Sequence, residues 1–155
     1  MVLTVRADLE DDLGNQRAAA DLGRAALRLS YARPQPDGIA TGHYNLATYL
    51  GRLGGDRGAG RAHRLAAALI YRLAGMSHDL AGTVGALAYE TRQHGGADPS
   101  LPSTLAQVIA VAEQTEGVRL SALLTALQPD ESAVEATLAE ILATATQPPP
   151  DPEHA

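Results

Sequence analysis

Apolar residues recur along most of this chain at steps of three and four, the spacing that puts side chains on one face of an α-helix. In residues 16–32 Ala19, Leu22, Ala26 and Leu29 share a stripe; in 38–53 Ile39, His43, Leu46, Leu50 and Leu53 do; in 56–73 Ala59, Ala62, Ala66, Leu69 and Leu73 do. Residues 77–94 continue with Leu80, Val84, Leu87 and Thr91. No stretch keeps the alternation of a half-buried strand. Glycine and proline mark the breaks: Gly14-Asn15, Pro34 with Pro36 and Gly38, Gly54-Gly55, Gly75, and the run "GGADPSLP" at 95–102. Asp56 and Ser77 are expected N-caps, and Gly54 and Gly95 expected C-terminal caps.

The small residues repeat as well. Gly14, Ala19 and Ala26 correspond to Gly54, Ala59 and Ala66 at an offset of 40 residues, and Gly54-Gly55 is followed by Gly95-Gly96. A short side chain at both alanine positions lets two helices approach closely, and the short connections make consecutive helices antiparallel neighbours. The expected fold class is therefore all-α, built of stacked antiparallel helical hairpins with two helices per repeat.

Composition narrows the chemistry. The 155 residues include no Cys, Trp or Phe, so disulfides, thiolate zinc sites and a cysteine nucleophile are excluded. No apolar run reaches the ~20 residues that span a bilayer, and the N-terminus lacks the order of a secretory signal, which makes a cytoplasmic protein the expectation. All twelve basic residues are arginine. Charge is uneven: residues 1–16 carry −3, residues 17–72 carry +6 and residues 73–155 carry −9. Such a division can steer an oppositely charged partner, although a solvated surface of uneven composition produces it too.

At the level of motif, "GNQRAAADLGRAALRL" resembles the second helix of a tetratricopeptide repeat (TPR), and "YNLATYLGRLGG" resembles the first helix of the next, with Asn45-Leu46-Ala47 and Gly54 at the family's spacing. "LAYETRQHGG" repeats the pattern more weakly. The unit length is similar to the longer variety found in kinesin light chains, and "AHRLAAALIYRLAG" resembles the C-terminal repeat regions of actinobacterial multidomain proteins. Arg6 falls where the family has leucine, and Gly23 and His63 stand where it has a large aromatic residue. The resemblance implies a TPR-like α-solenoid over residues 1–96 whose concave face binds a peptide or protein. Matching the first-helix positions points to Tyr44, Thr48 and Arg52 in one repeat and to Tyr89, Arg92 and Gln93 in the next. Tyr44, Thr48 and Arg52 also lie at i, i+4 and i+8.

Beyond the break, Leu105, Val108, Ile109 and Ala112, then "VRLSALLTALQ", then Val134, Leu138, Ile141 and Ala145 predict three more helices, with Asp130 as an N-cap. Residues 97–146 are read as a C-terminal helical cap and residues 147–155, "QPPPDPEHA", as a disordered tail. The N-terminal end of the stack looks unfinished. Either the chain is cut from a longer multidomain protein, or it forms a homodimer through exposed terminal helices.

Catalytic signatures are missing: there is no GxSxG, no P-loop, and no GxGxxG after a strand. His43 and His63 fall on facing helices of one expected hairpin, where they form a packed or hydrogen-bonded pair more readily than a zinc site, since no HExxH-type spacing is present. His78 at a helix start and His94 at a helix end suggest no chemistry. The expectation is a protein–protein interaction module without catalytic activity, cofactor or metal. The alternative is a nucleic-acid-binding regulator that uses Arg57, Arg61 and Arg64, an i, i+4, i+7 ridge placed on the outer side of the stack.

Overall fold

The computed structural model describes residues 2–33, 35–54, 56–93 and 100–147. All regular structure in them is helical: α1 (Val2–Asp12), α2 (Gln16–Ala32), α3 (Pro36–Leu53), α4 (Arg57–Leu73), α5 (Ser77–Arg92), α6 (Leu105–Ala110), a π-helical turn (Val111–Thr115) that continues α6, α7 (Leu120–Leu127) and α8 (Glu131–Thr146). The expected cap at Gly95, His94, Gly55, and the tail from residue 148 onward lie outside the described residues.

Local chemistry explains most boundaries. Pro36 opens α3, where a missing backbone N–H costs nothing. The Asp56 carboxylate accepts a hydrogen bond from the Ala59 amide (3.2 Å) and starts α4; Asp130 does the same for α8 through Ser132 (3.0 Å). Gly14 (φ 80°) and Gly54 (φ 76°) both adopt the left-handed conformation after α1 and α3, so the 40-residue correspondence extends to the backbone. Ser77 is not a cap: it is the first residue of α5, and Met76 precedes it without a side-chain cap bond. A reciprocal Thr104–Gln107 capping box starts α6, a signal the periodicity does not carry.

Helices α1 to α5 pack in sequence, each against its predecessor. Helix α3 also reaches α1, through Tyr49, whose hydroxyl donates to Asp8, and through Arg52, which pairs with Asp11. On the opposite side α6, the π turn, α7 and α8 close over α4, and α8 also packs on α5. Every residue from Ala59 to Tyr71 is buried in consequence. The C-terminal helices are therefore more than a lid on the last face of a row; they share one apolar core with α4, running from Ala7 to Ala145. The apolar stripes of α3 and α8 are buried much as expected, whereas Leu29 on α2 is 60 % exposed. On α1 the apolar positions Val5 and Leu9 face solvent, as does Leu13 in the turn after it, and Ala7 turns inward. The described residues contain no helix long and apolar enough to cross a membrane.

Candidate functional site

Two alternate helices, α3 and α5, stand as walls above α4, because each connects to α4 by a short turn and all three bury their apolar faces together. Between them runs a groove of about 300 Å³ lined by Thr41, Tyr44, Tyr71, His78, Asp79, Gly82 and Thr83. A second depression of similar size lies on the other flank of α3, toward α1, and includes Thr4, Ser30, Asp37, Thr41 and Asn45. Thr41 borders both.

Along the α3–α5 groove the residues fall in levels. At one end the Thr41 hydroxyl and the Tyr71 phenol are 2.9 Å apart, beside His78 and Asp79 of α5. Burial pushes the Tyr71 hydroxyl up, opposed by the Thr41 bond and reinforced by Asp79, Tyr44 and Asp37, so it remains a neutral donor and acceptor. Midway, the Thr83 hydroxyl turns back to the Asp79 carbonyl (2.8 Å). At the other end Arg64 rises from α4. Its guanidinium lies 4.5 Å over the Tyr44 ring, its Nη1 donates to Thr48 Oγ1 (3.4 Å), and its Nε and Nη2 meet Glu90 Oε1 at 3.0 and 2.8 Å. Arg61 Nη1 donates to the other Glu90 oxygen at 2.6 Å. Glu90 thus joins α4 to α5 while Tyr44 and Thr48 join α3 to the same arginine.

These positions answer the sequence expectations one by one. Tyr44 and Thr48 stand together at the groove. Arg52 does not join them: eight residues at 100° each turn it about 80° from Tyr44, and it pairs with Asp11 of α1 instead. On α5, Tyr89 is 59 % exposed and Arg92 and Gln93 are exposed too. By helical register Tyr89 falls about 20° from both His78 and Gly82 on the groove-lining stripe, and Gln93 about 40° from Asp79, whereas Arg92 turns away. The outward basic ridge is corrected: Arg61 and Arg64 are 8 % and 6 % exposed and face Glu90, because C-terminal helices cover α4 and leave it no outer side. Of the three, Arg57 is exposed. Sequence reasoning missed Glu90, Tyr71 and Asp79. Register across the α3–α4–α5 turns would have suggested them, since antiparallel neighbours bring positions 41, 71 and 79 to one level.

On the far side of α3 a buried polar chain crosses the core. The Tyr31 hydroxyl is 2.7 Å from His43 Nε2, His43 Nδ1 is 2.9 Å from His63 Nδ1, and His63 Nε2 lies 3.6 Å from the Glu116 carboxylate. Both histidines and Glu116 are essentially inaccessible. The expected hydrogen-bonded histidine pair is present. Among the described residues no group of three or more His, Asp or Glu side chains is arranged to hold a metal ion. The chain matches no family model, no curated protein and no solved structure.

Proposed function

We propose that the protein is a helical-repeat binding module that takes an extended segment of a protein partner in the α3–α5 groove. One observation carries this reading: an open trough between α3 and α5 whose lining brings Tyr44, the Thr41–Tyr71 hydroxyl pair, His78 and Asp79 together. Such a surface offers donors and acceptors to a peptide backbone, with aromatic area in Tyr44 to cover its side chains. The TPR-like motif over residues 14–96 supports the same choice of face, since the family binds along its first helices. Tyr44 and Thr48 keep their assigned role as binding residues, Gln93 extends the trough, and Arg52 becomes a residue that secures α1. The nucleic-acid reading loses support, because Arg61 and Arg64 are already engaged by Glu90.

The test is selection of peptides from a randomised displayed library against the full chain. Selected peptides should bind with affinity that falls about tenfold or more in Tyr44→Ala and in Gly82→Arg, which fills the trough, but not in Arg92→Ala. Peptides that bind all three variants equally would place the site elsewhere.

A further inference from the structure

Most acids of the first five helices are spent on other side chains. Asp8 meets Tyr49, Asp11 meets Arg52, Asp21 meets Arg24, and Glu90 takes both Arg61 and Arg64. Two carboxylates at the groove are left over. Asp37 and Asp79 stand exposed in the first turns of α3 and α5, and no side chain among the described residues engages either.

Their positions converge. The α3–α5 groove is lined by Thr41, Tyr71 and Asp79, and the depression on the other flank of α3 by Asp37 and Thr41. Asp37 precedes Thr41 by one helical turn, on the same face. One carboxylate from each wall thus stands at the Thr41–Tyr71 hydroxyl pair, whose oxygens are 2.9 Å apart. The phenol registers both: burial does most to raise it, the Thr41 bond opposes, and the charges of Asp79 and Asp37 add to the rise. Each aspartate also favours the N-terminus of its own helix. That accounts for one acid per helix, but not for their meeting at a single hydroxyl pair.

No arginine balances them. The groove lining holds one basic group, the His78 imidazole. Arg64, at the other end, is already held by Glu90, Thr48 and the Tyr44 ring. Arg72 follows Tyr71 in sequence but lines the depression on the far flank of α5, toward α8.

We infer that this end of the groove is the subsite for a basic side chain, lysine or arginine, of the bound segment; the inference rests on the reading of the groove as a peptide site. An ammonium or guanidinium has only donors, and here it finds two carboxylates and two hydroxyl oxygens as acceptors. An acidic residue brought to the same place would face two like charges, so the subsite selects by exclusion as well as by attraction. The net charge of −6 draws a cationic segment toward the protein before contact is made. A divalent metal fits less well. It takes about six oxygen ligands, and among the described residues no three His, Asp or Glu side chains are arranged to hold one.

Peptides selected from the randomised library and resynthesised with acetylated N-termini test this, because side chains are then their only source of positive charge. They should share a lysine or arginine at one fixed position. Their affinity should fall about fivefold in Asp37→Asn and in Asp79→Asn, yet stay unchanged in Glu135→Gln, an exposed acid on α8. Norleucine in place of the peptide's basic residue should weaken binding to the parent chain and remove the difference between parent and aspartate variants. The norleucine comparison on the parent chain stands even if a variant folds poorly. Peptides that depend on Tyr44 and Gly82 but lack a fixed basic residue, or bind both aspartate variants at full affinity, overturn the subsite and leave the groove. Peptides indifferent to Tyr44→Ala and Gly82→Arg overturn the groove, and the subsite with it.

Discussion

Glu90 sits 23 % exposed at its side chain between two nearly inaccessible arginines, one on each carboxylate oxygen. Removing it takes from Arg64, 7 % exposed at its side chain, the carboxylate that meets its Nε and Nη2, and breaking a buried pair costs far more than an exposed pair is worth. Glu90→Ala is expected to destabilise by ~3 kcal/mol, read as a lower urea midpoint at unchanged slope. Arg92→Ala, at an exposed position on the same helix, should lie within about 0.5 kcal/mol of the parent. Equal effects would mean that the arginines find water when Glu90 is absent. The arginine spacing was legible in the sequence; its meaning was not. An i, i+4, i+7 series reads identically whether that face meets water or a glutamate from the next helix. Tyr44 borders the groove because a tyrosine off the leucine stripe of α3 lies at the side of the hairpin. Arg52 was misplaced because an i+8 position has drifted by most of a quadrant.

Helix pairs show how small residues govern packing distance. At Gly23 on α2 an added Cβ would stand 2.8 Å from Tyr49 Cδ2 on α3. This glycine is thus matched by a large residue on the facing helix. At Gly51, also within a helix but exposed, nothing lies within 4 Å of such a Cβ. The same substitution should therefore have opposite effects. Gly51→Ala should stabilise by about 0.5–1 kcal/mol through helix propensity. Gly23→Ala should lose ~1–3 kcal/mol to overpacking, only partly offset by that gain. Two thermal melts decide it, and a higher melting temperature for Gly23→Ala would show that Tyr49 yields freely. The hairpin elements, their glycine turns and the Asp56 and Asp130 caps were readable because they depend on residues a few positions apart. The π turn was not, since the same apolar spacing suits an uninterrupted α-helix.

At the scale of the whole molecule, α4 is the organising rod. Its leucines at 65 and 69 and Ile70 are fully buried, and the helices that cover them include α6, α7 and α8. A row of repeats would keep most of its order when its last helices are removed, because each unit contacts only its neighbours. Here removal strips one side of the central helix. The fragment 1–93 is expected to lose cooperative unfolding and to bind a hydrophobic dye, while the full chain melts in one transition. A fragment that unfolds as sharply as the full chain would return the C-terminal helices to the role of a simple cap.

The sequence by itself determined the helices, their turns and their pairing into antiparallel hairpins, because backbone propensity, capping and period are properties of neighbouring residues. Only the tertiary structure decided which faces are inside. That choice depends on where residues 105–145 fold back, and it turned an apparent basic surface into a buried pair, drew Arg52 to α1, and sealed two histidines and a glutamate into one chain. Solvent exclusion is set by residues distant in sequence, so no local pattern of polar and apolar positions could specify it.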